Sequence, residues 1–492
     1  MMATKAKPRY AGIRFNDRPI KNVMADPESL ELEPGERTAD YERKPALRLG
    51  ALYPNIADYR VVPTGRFIGE ADKKLEEEKL WSRTWLLAGF SCDLKEKGDW
   101  FKFDIGPQSL IIVRSGPDEV SAFYNVCKHR GNELVQDDFG KGFDCFTCII
   151  HSWRFNLKGK NVRVTDRESF APEVLDQDLD LTPVHVREWN GLVFVSMARE
   201  PIPFEEYYGA LMPMMESYRI DEMYVVKELT VEIPANWKTL MTVFNEAYHA
   251  HATHPQAKLM LEDHFYQYDF YPHGHNRNLF PLGVVSERWP DTKFVNVALA
   301  FMLEEAGLKA SRFRGDASGV RRAIQQGKRD NKPFGIDYDG FTDNQISDDW
   351  NPTLFPNVTL NMHPEGILVM RFRPHPTDPE KGFWDNIVLM RRLADGKRPP
   401  AYMGVDDDAD VTGGTRPARE FSSIDNPPSS ELLVQDLDNM VTLHRGMKSN
   451  GLKHILLSEQ ERRIQQFLAE LDLYLTDSKE GLAGRAMDGE PN

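Results

Sequence analysis

The chain has few cysteines and no long apolar run. Only four of its 492 residues are cysteine, which is too few for a disulfide-stabilised scaffold. No apolar stretch approaches the roughly 20 residues of a membrane-spanning helix. The N-terminal MMATKAKPRY also lacks the apolar core of a secretory signal. We therefore expect a cytoplasmic protein that does not enter a membrane.

A surplus of basic residues is also lacking. The formal net charge is −15, and hydrophobic residues make up 41% of the chain. This is the composition of an ordinary globular protein. Nucleic acids and anionic membranes attract basic surfaces, so neither is expected as a main partner. The length predicts two to three domains.

The distribution of short apolar runs divides the chain into four segments. Residues 1–60 are polar and predict an N-terminal arm, and residues 61–99 predict a helical lead-in that belongs to the catalytic domain. In residues 100–200, β-branched and aromatic runs between Gly, Pro and Asp predict a small all-β domain. In residues 201–492, strands mixed with helices predict an α+β domain with an antiparallel sheet.

The last segment contains the clearest secondary-structure patterns. The region 256–350 is long and rich in aromatic side chains, and it is predicted to be irregular, as in a functional lid or pocket wall. Helices are predicted over 237–250, 296–306, 430–446 and 458–475, and strands over 223–233, 358–362, 367–372 and 387–393.

Two cysteine–histidine pairs form the first candidate metal site. Cys127 precedes His129 by two residues, and Cys148 precedes His151 by three. In a Rieske [2Fe–2S] centre, one iron is bound by two cysteines and the other by two histidines. A structural zinc site also uses both residue types but usually pairs Cys with Cys and His with His. The mixed pairing favours the iron–sulfur cluster.

A carboxylate and two histidines form the second candidate site. His249 and His254 would lie about 140° apart on an unbroken helix. Pro255 disfavours the helical conformation for His254, so we expect the helix to end or bulge after His249. Two histidines and one carboxylate form the facial triad of non-haem Fe(II) oxygenases. A di-iron carboxylate site needs two Glu-x-x-His motifs, and only Glu246 with His249 fits.

These motifs resemble those of Rieske-type ring-hydroxylating oxygenases, in their large catalytic subunit, and the resemblance covers roughly residues 60–490. Cys127–Gly131 and Cys148–Trp153 match the family's Cys-x-His-Arg-Gly and Cys-x-x-His-Gly-Trp motifs. Ser152 stands where the family usually has Gly, a small-for-small change that we expect to be tolerated. Residues 236–255, with Asn-Trp-Lys followed by Glu-x-Tyr-His-x4-His-Pro, resemble the family's iron-site motif.

The resemblance implies the site residues. The segment Val434–Met440 resembles the family's Asp-x-Asp-Asn-Met sequence, which makes Asp436 the carboxylate ligand and Asp438 its competitor. Glu246 would be the acidic bridge between a cluster histidine of one subunit and an iron-site histidine of the next. His251 is interpreted as a neighbour. The implied ligands are Cys127, His129, Cys148 and His151 for one [2Fe–2S] Rieske cluster, and His249, His254 and Asp436 for one mononuclear Fe(II).

The resemblance also implies a fold and partners. The fold is expected to be α+β, with an all-β Rieske domain and a helix-grip-like catalytic domain containing a curved antiparallel sheet and helices. NAD(P)H-derived electrons would come from a separate reductase, with or without a ferredoxin, because the chain has no G-x-G-x-x-G nucleotide-binding fingerprint. The implied assembly is a homotrimer or an α3β3 oligomer.

The substrate class remains open between two hypotheses. The aromatic-rich region favours dioxygenation or monooxygenation of a small hydrophobic substrate, aromatic or alicyclic, as in aromatic hydrocarbon catabolism. The alternative is a monooxygenase or demethylase acting on a quaternary-amine or methoxy substrate. It rests on Glu246, because the oxygenases of quaternary amines that this motif resembles have Glu where many family members have Asp. Two other classes, an electron carrier with the cluster alone and a structural zinc protein, are kept as rivals.

Overall fold

The structure is a computed structural model that describes residues 37, 39, 49–263, 267–406, 408–425 and 431–478. Most of the predicted N-terminal arm lies outside the described residues, as do residues 264–266 of the predicted aromatic-rich region. None of the described helices has the length and apolar character required to cross a membrane.

The strands of the described residues form four sheets. In chain order they are β1 (Val61–Pro63), β2 (Leu86–Phe90), β3 (Trp100–Ile105), β4 (Gln108–Gly116), β5 (Glu119–Tyr124), β6 (Phe139–Gly140), β7 (Cys145–Thr147), β8 (Arg154–Asn156), β9 (Asn161–Arg163), β10 (Pro183–Trp189), β11 (Leu192–Ser196), β12 (Tyr224–Ile233), β13 (Gln267–Phe270), β14 (Asn276–Phe280), β15 (Asp349–Leu354), β16 (Val358–His363), β17 (Gly366–Pro374), β18 (Gly382–Met390), β19 (Glu420–Ser423) and β20 (His454–Leu456).

The four longest α-helices of the described residues lie in the second half of the chain. In chain order the helices are α1 (Leu49–Leu52), α2 (Glu70–Glu76), α3 (Pro172–Leu175), α4 (Phe204–Tyr207), α5 (Met212–Ser217), α6 (Trp237–Val243), α7 (Ala250–Thr253), α8 (Val297–Glu305), α9 (Val320–Asn331), α10 (Asp343–Ser347), α11 (Glu431–Met447) and α12 (Arg462–Leu475).

The first domain is built from a seven-stranded antiparallel sheet, in the order β2-β11-β10-β5-β4-β3-β6, and a three-stranded sheet, β7-β8-β9. Strand β2 lies in the segment 61–99, for which we predicted a helical lead-in to the catalytic domain. All five of its residues are buried, and it pairs with β11. The periodicity of a short, fully buried apolar run cannot distinguish a strand from a helix, which explains why this strand was not predicted. The segment does contain the helix α2, but its end joins the sheet of the first domain through β2.

The second domain is built on an eight-stranded sheet in the order β13-β14-β15-β16-β17-β18-β12-β19. Its strand pairs are antiparallel, except that β19 runs parallel to β12. Helices α6 and α12 cover one face, where Trp237 and Phe467 join a core with Phe372 and Trp384 of the sheet. The helices and antiparallel sheets confirm the predicted α+β class.

The two domains share one core. Phe101 and Ile112 of the seven-stranded sheet belong to the same buried cluster as Val231 and Trp384 of the eight-stranded sheet. Burial of this apolar area is expected to be the main stabilising contribution at the contact. The seven-stranded sheet therefore packs directly on the second domain.

Two predicted elements differ from the structure. The helix predicted over 237–250 ends at Val243, and a new short helix begins at Ala250. The carboxylate of Glu246 accepts the backbone N–H of His249 at 2.9 Å, so the intervening turn satisfies its own polar groups without continuing the helix. The region 256–350, predicted to be irregular, contains β13, β14, α8, α9 and α10.

Candidate metal centres

The two cysteines of the first site are held in loops with the same turn. Cys127 follows β5, and Cys148 follows β7; both are buried. The N–H of Gly131 donates to the carbonyl of Cys127, and the N–H of Ser152 donates to that of Cys148, each at 2.9 Å. Gly131 has a φ of 81° and Ser152 a φ of 57°. Both turns therefore need a left-handed residue, which is costly for Ser but not for Gly.

The two histidines of this site face each other, and the two cysteines do the same. The Nδ1 atoms of His129 and His151 are 3.2 Å apart, and the ring of His129 stacks on Trp153 with centroids 4.9 Å apart. Desolvation, followed by the charges of His151 and Arg130, lowers the pKa of His129. A neutral imidazole is the form that binds a metal.

The thiols of the first site are also adjacent. Burial raises the pKa of the Cys127 thiol, and contact with Cys148 raises it further. A pair of adjacent cysteines fits a metal site, where a coordinating thiol is deprotonated. The paired thiols and the facing Nδ1 atoms thus fit a cluster that has two sulfur and two nitrogen ligands.

The second site lies where α7 meets α11. Asn439 of α11 donates to the hydroxyl of Thr253 of α7 at 2.7 Å, which fixes the two helices. Oδ1 of Asp436 lies 3.0 Å from Nε2 of His254 and 3.5 Å from Nε2 of His249. Two ligands at right angles, each about 2.1 Å from a metal, would lie about 3 Å apart.

The ligand atoms of this trio all lie within 4.8 Å of one another, close enough to hold one metal ion. Asp436 is buried, whereas Asp438 is exposed. The structure therefore places Asp436, and not its competitor, beside His249 and His254. His251 is not part of the group.

The electrostatics of the trio suit a cation. Burial opposes ionisation of Asp436, but contacts with His249 and His254 lower its pKa overall. Burial lowers the pKa of His249, but Glu246 and Asp436 raise it well above its usual value. Although Oδ1 of Asp436 lies close to both rings, no donor in the described residues reaches it at a hydrogen-bonding angle. The fit is therefore to a metal cation between the three atoms.

Each histidine of the trio has an acceptor behind it. Oε1 of Glu246 lies 2.6 Å from Nδ1 of His249, and Oε1 of Gln435 lies 2.7 Å from Nδ1 of His254. Gln256 donates to the same Gln435 oxygen at 3.0 Å. Acceptors at Nδ1 fix the tautomer in which the Nε2 lone pair faces the metal.

Gln435 was missed by sequence reasoning. The available signal was its position directly before Asp436, in the segment already singled out for its ligand. In this single chain, both oxygens of Glu246 contact His249. The contact of Glu246 with a cluster histidine remains a proposal.

Two family comparisons match the two domains. Residues 84–176 match the family described as Rieske [2Fe-2S] domain. Residues 220–477, more than half of the chain, match the ring hydroxylating alpha subunit (catalytic domain).

The relatives act on different substrates. The chain is 29% identical over 195 residues to the glycine betaine monooxygenase oxygenase subunit of Pseudomonas aeruginosa, covering 38% of this chain and 44% of the relative. It is 30% identical over 189 residues to the benzene 1,2-dioxygenase subunit alpha of Pseudomonas putida, covering 37% of this chain and 41% of the relative. The matches thus span less than half the length of these relatives.

A solved structure of a quaternary ammonium Rieske monooxygenase is similar in fold. It aligns with a TM-score of 0.61 at 18% identity, covering 87% of this chain and 99% of that one.

Proposed function

This chain belongs to the ring hydroxylating alpha subunit family, and we propose that it is a terminal oxygenase that transfers oxygen from O₂ to a small organic substrate. The family's cofactors are one Rieske [2Fe–2S] cluster and one mononuclear Fe(II). The convergence of His249, His254 and Asp436 on one point carries the proposal. Three ligands on one face of a metal leave positions open for O₂.

The residues around the centres have separate roles. When bound, the cluster would supply electrons and the iron would activate O₂. Glu246 keeps the ring proton of His249 at Nδ1, and Gln435 does the same for His254, so both Nε2 lone pairs would be free to bind the metal. Burial of Asp436 excludes water from one side of the site.

Electrons are proposed to pass between subunits. An ionised carboxylate offers about four acceptor sites, so Glu246 can accept from His249 and also from His151 or His129 of a neighbouring subunit. Ile149 and Ile150, beside the cluster ligands, are 72% and 57% exposed. Exposed apolar side chains support a contact with another chain. We propose a homotrimer or α3β3 assembly that receives electrons from a separate reductase, with or without a ferredoxin.

Both substrate hypotheses have support at this level. The match to a benzene dioxygenase subunit supports a hydrophobic aromatic substrate. The match to a glycine betaine monooxygenase subunit supports a quaternary amine. Whether one or two oxygen atoms are transferred differs between these relatives as well.

The test is incorporation of isotopically labelled oxygen. Purified holoenzyme, a surrogate reductase and a panel of hydrophobic and amine substrates would be incubated with labelled O₂, and product masses measured. We expect label in the product of the wild type and none with His254→Ala. Reduction of O₂ without labelled product across the panel, at an equal rate in His254→Ala, would contradict the function.

A further inference from the structure

One face of the eight-stranded sheet contacts residues 236–255, called the iron-site segment below. The hydroxyl of Thr353 donates to Asn245, directly before Glu246, at 2.8 Å. The ring of Phe244 stacks on Phe372 with centroids 5.3 Å apart. Successive side chains of a strand alternate between faces. Residues an even number of positions from Thr353 on β15, or from Phe372 on β17, therefore share the face of the iron-site segment.

Four side chains form a partly exposed row on this face. Phe280 and Asp349 are opposite one another on β14 and β15, and Asn361 and Leu368 are opposite one another on β16 and β17. All four are partly exposed within a sheet whose strands are otherwise largely buried. Asp349 precedes Thr353 by four residues, a distance of about 13 Å along the strand. Since Thr353 contacts Asn245, Asp349 lies on the face of the sheet that carries residues 236–255.

The carboxylate of Asp349 is only half satisfied. Oδ2 accepts from the amide of Asn361 at 2.5 Å. Oδ1 has no hydrogen bond within the described part of the chain, and Nε2 of His363 is 3.5 Å away. Burial lowers the pKa of His363 to about 4, so its ring is neutral near pH 7. The oxygen of Asn361 also lacks a donor in the described residues.

In the described part of the chain, no cationic group contacts the carboxylate of Asp349. Burial raises the pKa of Asp349 to about 7, as expected for a carboxylate without a compensating charge. Three other buried carboxylates of the domain are paired with basic side chains, in Asp385–Arg371, Glu365–Lys328 and Asp269–Arg277.

We propose that Asp349 binds the positively charged nitrogen of an organic ammonium substrate, with the oxygen of Asn361 beside it. Phe280 and Leu368 flank these groups and contact the carbon atoms of the substrate. No basic side chain among the described residues contacts this carboxylate, and a cationic ligand would supply a counter-charge in contact with it. The inference rests on the proposed oxygenase function, because it takes the ligand of this row to be the substrate.

The test measures binding without turnover. Anaerobic holoenzyme with an oxidised cluster would be titrated by calorimetry with toluene, benzylamine, N,N-dimethylbenzylamine and benzyltrimethylammonium. These probes share an aromatic ring and differ in charge and in N–H donors. We expect at least one cation to bind about tenfold or more tightly than toluene. Preference for benzylamine would indicate N–H donation, and equal binding of the quaternary probe would indicate recognition of charge; both support the proposal.

The matched variants locate the effect at one carboxylate. Asp349→Asn keeps the size and removes the charge, and it should weaken binding of the cations about tenfold or more while leaving toluene within about twofold. Asp337→Asn removes the same charge from an exposed position and should change neither. Unchanged cation binding in Asp349→Asn, or failure of every cation to bind the wild type, would overturn the proposal. Iron content and labelled-oxygen incorporation test the oxygenase function separately.

The wild type alone gives a second test. The charge of benzyltrimethylammonium does not titrate, so its affinity should rise from about pH 6 to about pH 8 as Asp349 ionises. The nearby groups are His363, neutral over this range, and the charges of Arg463 and Asp348. An affinity that is flat, or that falls over this range, would contradict the assignment.

Discussion

Replacing Glu246 with glutamine tests the contacts behind His249. In the wild type, one oxygen of Glu246 lies 2.6 Å from Nδ1 of His249, and the other accepts the backbone N–H of the same residue at 2.9 Å. A glutamine amide has one acceptor oxygen and one NH₂ donor. One of the two N–H groups must therefore face a donor and lose its hydrogen bond, whichever way the amide is turned.

The size of the effect follows from that lost bond. A hydrogen bond to a charged group contributes about 1.5–3 kcal/mol, and each 1.4 kcal/mol is about tenfold in affinity. We therefore expect the Fe(II) affinity of Glu246→Gln to fall about 10- to 100-fold. The cluster should be unaffected, because its candidate ligands lie in the other domain. Electron transfer from the reduced cluster should also slow, because the amide no longer accepts from histidines on both sides.

Two assays separate these effects. Competition with a chelator measures Fe(II) affinity, and stopped-flow absorbance follows oxidation of the pre-reduced cluster at saturating Fe(II), substrate and O₂. Glu205→Gln, which removes the same charge from an exposed position, is the control and should match the wild type. Unchanged Fe(II) affinity would refute the contact argument. A wild-type rate of cluster oxidation would refute the proposed bridge between subunits.

The remaining predictions concern the other contacts of the two centres. Gln435→Leu removes the acceptor behind His254 and should lower Fe(II) affinity about 10- to 100-fold in a chelator competition; rescue by Gln435→Glu is expected, and its absence would indicate a packing role. Asp436→Ala should lose the mononuclear iron but keep the cluster spectrum, whereas Asp438→Ala should keep both; the reverse result would mean that α11 binds in another register. Ser152→Gly removes the left-handed strain at the second cysteine loop and should stabilise the protein by about 1 kcal/mol, visible as slower loss of cluster colour on heating. Faster loss would show that the Ser side chain makes a needed contact.

The family and fold class could be predicted because their signals are local. The two cysteine–histidine pairs and the Glu-x-x-His-x4-His spacing lie within short segments, and the family comparisons confirm the family they predicted. Asp436 was also accessible from its short motif. The structure brings it together with His249 and His254, although nearly two hundred residues separate them along the chain.

Strands β14 and β15 could not be predicted, because their sequences are unusual for central strands of a sheet. Strand β15 contains Pro352 and pairs on both sides, although proline normally argues against a central strand. Strand β14 begins Asn-Arg-Asn and is buried, so it lacks the apolar pattern of a core strand. The pairing of Phe280 with Asp349 depends on both strands, which is why sequence patterns did not reveal it.

Iron and acid-labile sulfide content per chain is the most direct test of the account. Holoenzyme produced under iron-sufficient conditions should contain about three irons and about two sulfides, because a Rieske cluster holds two of each and the facial triad holds one iron. It should be red-brown, and His254→Ala should retain the two sulfides while losing one iron. Two irons with two sulfides in the fully reconstituted wild type would contradict the mononuclear iron site and support an electron carrier that has the cluster alone. A colourless, folded, zinc-loaded protein would contradict both centres.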